Sequence, residues 1–138
     1  METITVNASR TYQVQVGAGL LARTGELSAP LIQGRDAVIE SDSNVWPRYG
    51  RTVAGSLAQA GFRVREFVFP AGEASKNPQV LLELLTFLAR HDLTRSDAVF
   101  ALGGGVTGDM AGLAAALYLR GIACVQLPTS LLSMVDSS

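Results

Sequence analysis

Ile4 and Val6, then Tyr12, Val14 and Val16, alternate with polar residues on either side of Asn7-Ala8-Ser9-Arg10, the pattern of a β-hairpin with one exposed face. Gly17-Ala18-Gly19 ends the hairpin, and Leu20 to Leu27 reads as a short helix. Ala37-Val38-Ile39-Glu40 is then a short apolar run of the buried-strand type, followed by the polar cluster Ser41-Asp42-Ser43-Asn44, which can cap a helix. Pro47 suits the first turn of that helix, and Val53, Leu57 and Ala60 carry its apolar stripe to Gly61. The unit then recurs. Phe62 to Phe69 is strand-like, Pro70 to Asn77 is a polar loop, and Leu81, Leu84, Leu85 and Leu88 follow the i, i+3, i+4, i+7 spacing of a helix opened by Asn77-Pro78. Asp97 to Leu102 is nearly all apolar, as a strand covered on both faces must be. Gly103-Gly104-Gly105-Val106-Thr107-Gly108-Asp109 follows it, with the next helix expected over Gly108 to Leu119. Ala123 to Leu127 reads as the last strand, and Pro128-Thr129-Ser130 opens a further helix through Met134.

Four strand-to-helix alternations select an α/β fold: a Rossmann-like parallel sheet with flanking helices, preceded by the amino-terminal hairpin. In such sheets ligands gather at the carboxyl ends of the strands. The four loops leaving those ends, Glu40 to Asn44, Pro70 to Lys76, Gly103 to Asp109 and Pro128 to Ser130, hold most of the unusual chemistry of the chain.

Composition narrows the function. The 138 residues suit one domain, 1–138, and at 48% hydrophobic and 17% charged they exclude intrinsic disorder. A net charge of -1 gives no field to attract a polyanion, so nucleic acid is not an expected partner. The longest uncharged apolar stretch, Met110 to Leu119, is about half a bilayer span, so no membrane is expected either. The start of the chain shows no basic, apolar secretory pattern and there is one cysteine, both of which favour the cytoplasm. That cysteine, Cys124, lies in an apolar segment and reads as a small buried hydrophobe.

Ten of the eleven basic residues are arginine, and the single lysine is Lys76, in Pro70-Ala71-Gly72-Glu73-Ala74-Ser75-Lys76. A compact ammonium is not replaceable by a planar guanidinium in a tight polar pocket, which makes this survivor a candidate for function. Gly103, Gly105 and Gly108 satisfy G-x-G-x-x-G between strand and helix, so the helix start could take a pyrophosphate; the plainer reading is close packing of helix on strand. The acid expected at the end of the following strand, for a ribose hydroxyl, is absent. Asp42, Asn44 and Glu73 offer polar groups from other loops, with helix capping the competing role for the first two. Asp109, expected in the first helical turn, and Arg120, at the end of that helix, both complement the helix dipole. His91 reads as structural and Trp46 as core.

Asp42-Ser43-Asn44-Val45, the Pro70 to Lys76 segment, Gly103 to Gly112, Leu119-Arg120-Gly121 and Pro128 to Ser138 together resemble the 3-dehydroquinate synthase family, in order and in spacing. The resemblance covers the whole chain but less than half of the family's length, its amino-terminal nucleotide-binding part. Thr129-Ser130 departs from a pair of threonines, keeping the hydroxyl. No glycine stop follows Val135, and the family continues with Gly-Gly-Lys, so these residues are expected to belong to a longer protein.

The resemblance implies an NAD- and zinc-dependent lyase of the shikimate pathway. It would turn a sugar phosphate, 3-deoxy-arabino-heptulosonate 7-phosphate, into 3-dehydroquinate and phosphate. By position Asp42, Asn44, Glu73, Lys76, Gly104, Gly105, Val106, Asp109, Thr129 and Ser130 match cofactor contacts, while Arg120 and Asp136 match substrate contacts. Zinc or another divalent metal, with the catalytic residues, belongs to the family's carboxyl-terminal domain, and the full-length enzyme is implied to be a homodimer. The competing readings are another sugar phosphate cyclase, a metal-dependent polyol dehydrogenase, or a non-catalytic nucleotide-binding module.

Overall fold

The computed structural model describes the backbone of residues 2–7 and 11–16 and all atoms of residues 19–129. The expected hairpin is present: β1 (Glu2–Asn7) pairs antiparallel with β2 (Thr11–Val16). A 3-10 turn over Leu20–Arg23 and the short helix α1 (Thr24–Ser28) replace the single helix expected there. The helix expected beyond Pro128 lies outside the described residues.

Four strands form one parallel sheet: β3 (Asp36–Asp42), β4 (Arg63–Phe69), β5 (Ala98–Gly103) and β6 (Ala123–Pro128), in the order β4-β3-β5-β6. The chain begins this sheet at its inside strand β3, goes outward to β4 and returns to the other side at β5. The switch point, where strand ends part to leave a crevice, therefore lies between β3 and β5.

Side-chain alternation on the two inner strands explains the layers. Ala37 and Ile39 of β3, with Ala98, Phe100 and Leu102 of β5, pack against Val53 and Leu57 of α2 (Arg51–Gln59). Val38, Val99 and Ala101 face the other way, onto Leu84 and Leu88 of α3 (Pro78–Arg90) and Ala111 and Ala114 of α4 (Gly105–Leu117). Both faces are dry, which is why β5 reads as a run rather than an alternation. The helix starts follow their capping chemistry. Asn77 accepts from the Val80 N–H at 2.9 Å with Pro78 in the first turn, as expected. The segment after Asp42 enters its helix through a π turn, Trp46–Gly50, in which the glycine leaves room for the Trp46 ring.

One expectation is corrected. The helix after β5 begins at Gly105, not Gly108, so strand and helix are separated by Gly104 alone. Glycine's low helix propensity suggests a longer loop. Packing overrides it: a Cβ on Gly108 would come within 2.7 Å of Gln126, whose amide donates to the Gly108 carbonyl at 3.2 Å. Asp109 consequently sits in the second turn of α4, and its position there is not explained by the helix dipole.

Candidate functional site

All four strand-end loops meet at the carboxyl edge of the sheet and are stitched to one another. The Ser43 N–H donates to the Phe69 carbonyl at 2.9 Å and the Ser43 hydroxyl accepts from Ala71 N–H at 2.9 Å, joining the β3 and β4 ends. The Thr129 N–H donates to the Gly103 carbonyl at 3.1 Å, joining β6 to β5. Lys76 then reaches across from the β4 loop and donates to Asp109 of α4 at 3.0 Å. The Asp109 carboxylate, with Glu73 adding to it, holds the Lys76 ammonium above its usual range.

The β4 loop is shaped for this reach. Gly72, at φ 116° and ψ 163°, adopts a backbone that a side chain strains, and it opens the single turn Glu73–Ser75. Ser75 donates to the Pro70 carbonyl and the Lys76 N–H returns to Glu73, so the loop closes on itself and presents Lys76 outward.

The start of α4 is left unsatisfied. Gly104 caps it without a side-chain hydrogen bond, so the first-turn N–H groups and the positive end of a 13-residue helix face the crevice. The space where a Gly105 Cβ would stand holds nothing within 4 Å, whereas a Cβ on Gly103 would strike Thr107. The Thr107 hydroxyl is buried and finds no partner among the described residues. A tight strand-to-helix link, an open approach at Gly105 and an uncapped helix start together make a seat for an anion such as a pyrophosphate.

Asp42 does what the capping alternative requires: one carboxylate oxygen accepts from Asn44 N–H at 2.9 Å and Val45 N–H at 2.8 Å. Its second oxygen makes neither bond and remains for a ligand. Asn44 and Thr129 line a cleft of about 430 Å³ with Val45, Arg48 and Tyr49. Val106 is half-buried against Phe69, Val80 and Met110, so it contributes backbone and packing to the helix start. Asp42, Asn44, Glu73, Lys76, Gly104, Gly105, Val106, Asp109 and Thr129 are thus gathered at one edge. Ser130 and Asp136 lie outside the described residues. Arg120 is not in the cluster: it stands in the 3-10 turn Tyr118–Arg120 beyond the far end of α4, and 13 residues at about 1.5 Å each put it roughly 20 Å away.

Sequence reasoning missed four residues of this edge: Glu40, Arg48, Tyr49 and Thr107. Glu40 is fully buried on the inner strand β3, with no hydrogen-bond partner for either oxygen among the described residues. Burial, and then the Asp42 charge, push its carboxyl up to about 9. An acid inside a strand expected to be covered was the available clue. Burial likewise pushes the half-buried Cys124 thiol up to about 12. His91 packs on the Phe87 ring, 4.4 Å between centroids, consistent with a structural role.

Among the described residues no three His, Cys, Asp or Glu side chains form a group that could hold a metal ion, and no helix is long and apolar enough to cross a membrane.

The family model described as 3-dehydroquinate synthase N-terminal matches residues 66–138. The 3-dehydroquinate synthase of Xanthomonas axonopodis pv. citri is 46% identical over 138 residues, covering 99% of this chain and 37% of that protein. Among solved structures, 2-deoxy-scyllo-inosose synthase complexed with carbaglucose-6-phosphate, NAD+ and Co2+ superposes with a TM-score of 0.89 at 28% identity, over 99% of this chain and 37% of that one. The 2-epi-5-epi-valiolone synthase of Streptomyces hygroscopicus subsp. jinggangensis, with NAD+ and Zn2+ bound, gives 0.78 at 30% identity, over 97% of this chain and 37% of that one. The chain therefore spans somewhat over a third of the length of the relatives it matches, and it belongs to the 3-dehydroquinate synthase family as an amino-terminal, Rossmann-like part.

Proposed function

We propose that this chain is the NAD-binding part of a 3-dehydroquinate synthase, a cytoplasmic enzyme that converts 3-deoxy-arabino-heptulosonate 7-phosphate to 3-dehydroquinate and phosphate. The observation that carries the reading is the uncapped start of α4 at the switch point, with open space at Gly105 and the orphaned Thr107 hydroxyl beneath it. Those features fit a dinucleotide. The first-turn N–H groups of α4 would hold its pyrophosphate, and the Asp42 oxygen left over from capping would accept from a ribose hydroxyl. Lys76, braced by Asp109, would donate to a second hydroxyl or to the phosphates, and Thr129 would close the site beside Gly103.

NAD held there would supply reversible oxidation of a substrate carbinol, which would acidify the neighbouring C–H for phosphate elimination. The contribution of these residues is to bind and orient it. Among the described residues no group of three His, Cys, Asp or Glu side chains could hold the divalent metal. Arg120 and Asp136 remain candidate substrate contacts by resemblance, and a homodimer is the proposed assembly of the full-length enzyme. The cyclases found among solved structures share the fold, but at 28% and 30% identity, against 46% for the synthase, so the synthase reading is preferred.

A chimera tests it. This chain would replace the matching amino-terminal 37% of the Xanthomonas synthase, and phosphate release from the heptulosonate phosphate would be followed with NAD and zinc present. Turnover within about tenfold of the parent, that is within about 1.4 kcal/mol in barrier, is the expected result. A folded chimera that binds NAD but releases no phosphate would overturn the synthase reading.

A further inference from the structure

We propose that Glu40 is a positioning residue for the cofactor seat: its carboxyl and the Thr107 hydroxyl form one buried polar link that ties β3 to the first turn of α4. The inference rests on the dinucleotide reading above and concerns two side chains set beneath the seat. Glu40 and Thr107 hold the buried side-chain oxygens left without a hydrogen-bond partner among the described residues. Both point into the same layer. Glu40 stands two residues after Val38, so alternation turns it to the face covered by α3 and α4, and Thr107 is the buried residue in the first turn of α4. Glu40 pairs with Ala101, two residues before Gly103, which puts the Glu40 and Gly103 backbones about 8 Å apart. Thr107 stands over Gly103, where a Cβ would come within 2.6 Å of its hydroxyl oxygen. A glutamate side chain and one bridging water span what remains, and buried water of this kind joins polar groups that otherwise go unsatisfied.

The surroundings decide which partner donates. A buried carboxylate without a cation is costly, and none of the four ion pairs among the described residues involves Glu40. The groups that face it supply no charge to offset its own. On β3 itself Asp42 adds a like charge. On β4 Arg65 shares the face but is taken by Asp36, and Phe67 is the direct neighbour. β5 offers Val99 and Ala101, and β6 offers Gln126 and the neutral thiol of Cys124. From α4 come Thr107, Met110 and Ala111, with Asp109 exposed and bound to Lys76; from α3 come Val80, Leu84 and Leu88, with Glu83 and Arg90 exposed. Glu40 therefore stands as a neutral acid, in keeping with a carboxyl pushed up to about 9, and donates toward the Thr107 hydroxyl. On the other flank of α4, Gln126 of β6 donates to the Gly108 carbonyl at 3.2 Å. The two ties hold the helix start from either side of β5, which fixes its free N–H groups where an anion needs them.

The test titrates the purified 138-residue protein with NAD and with ADP, for the wild type, Glu40→Val, Glu40→Gln, Thr107→Val and the double variant Glu40→Val/Thr107→Val, with thermal midpoints alongside. Glu40→Val exchanges a buried acid for an apolar side chain, so its midpoint should equal or exceed that of the wild type. Its affinity for both ligands should nonetheless fall about 3- to 10-fold, the effect of one lost hydrogen bond on the seat, and Thr107→Val should match it. The double variant should lose no more than either single one, because both cut the same link. Glu40→Gln keeps a donor and should bind within about twofold of wild type at pH 7. Wild-type affinity should hold up to about pH 8 and fall about fourfold by pH 9.5, as the neutral fraction of Glu40 drops, while Glu40→Gln stays flat across that range. Wild-type affinity in Glu40→Val, an equal loss in Glu40→Gln, multiplied losses in the double variant, or one pH profile for wild type and Glu40→Gln would each overturn the link while leaving the dinucleotide reading standing. A wild-type chain that binds neither NAD nor ADP would remove the dinucleotide reading itself.

Discussion

The two ends of the same sheet are built on opposite principles. At the amino end the charges are consumed. Asp36 receives the Arg63 guanidinium through two bonds, at 2.9 and 2.7 Å, with Arg65 at 3.4 Å, and Arg63 leads the effects that hold its carboxyl below the usual range. Asp97 is buried and accepts from Asp36 N–H, Thr94 N–H and the Thr94 hydroxyl at 2.8 to 3.1 Å. At the carboxyl end the groups stay open: an uncapped helix, an orphaned Thr107 hydroxyl, an unpartnered Glu40 and an Arg48 outside every ion pair among the described residues. Buried polar groups are normally satisfied, so an edge where they are not is an edge shaped for something else. The amino end is where the fold is secured, and the carboxyl end is where, on the dinucleotide reading proposed above, stability would be traded for binding.

The largest expected effect probes the open end. Glu40 has a folded-state value of about 9 against an ordinary 4.5, so folding takes up a proton between those limits. Stability from the neutral carboxyl is complete below pH 4.5, declines as pH rises, and is gone above about 9. Between pH 5 and pH 8 the wild type should lose up to about 4 kcal/mol, or roughly 14 °C in thermal midpoint, and Glu40→Gln should abolish most of that slope. Asp36 does not confuse the window, since its lowered value is felt only below the ordinary 3.8, where stability is lost on acidification. An equal slope in both proteins would show that Glu40 is ionised in the fold.

Asp97→Ala removes three hydrogen bonds at the closed end and should cost about 2 to 4 kcal/mol of stability with NAD affinity unchanged, read by denaturant unfolding and calorimetry. A loss of affinity in the folded variant would blur the division between the two ends. Lys76→Ala should do the converse. Removing a charge-assisted contact should weaken NAD by about 10- to 150-fold while the midpoint holds, because the ion pair it leaves is exposed on both sides. Lys76→Arg should fail to rescue. The smallest effect is Arg63→Ala: that side chain is 69% exposed, so solvent screens its pair and the thermal midpoint should stay close to wild type, and a clear drop in midpoint would make the amino end more tightly organised than its exposure allows.

Much of this division was legible in the residues. The apolar runs and leucine spacing give the four parallel strands and the helices on both faces, and Asn77-Pro78 marks its helix start to the residue. Element boundaries depend on tertiary contacts and were harder. The start of α4 was misplaced by three residues because propensity alone says nothing of Gln126 packing onto Gly108. At the site, Lys76, Glu73 and the glycines stand out by type and spacing. The pairing of Lys76 with Asp109 across 33 residues does not, because it depends on the β4 loop folding back over α4. Arg48 and Tyr49 carry no motif at all; only the π turn and the neighbouring strand ends make them wall residues.

If the carboxyl edge is a dinucleotide seat built on the start of α4, Gly105 is the position that isolates it. Its Cβ position meets nothing within 4 Å, so Gly105→Val adds a side chain that the fold accommodates and a pyrophosphate does not. Titrating NAD into the wild type and this variant, with thermal midpoints alongside, should show affinity reduced by more than about 100-fold, some 2.7 kcal/mol or more, at a midpoint within a few degrees of wild type. Equal NAD affinity in the two proteins would contradict the account and return the glycines to packing alone.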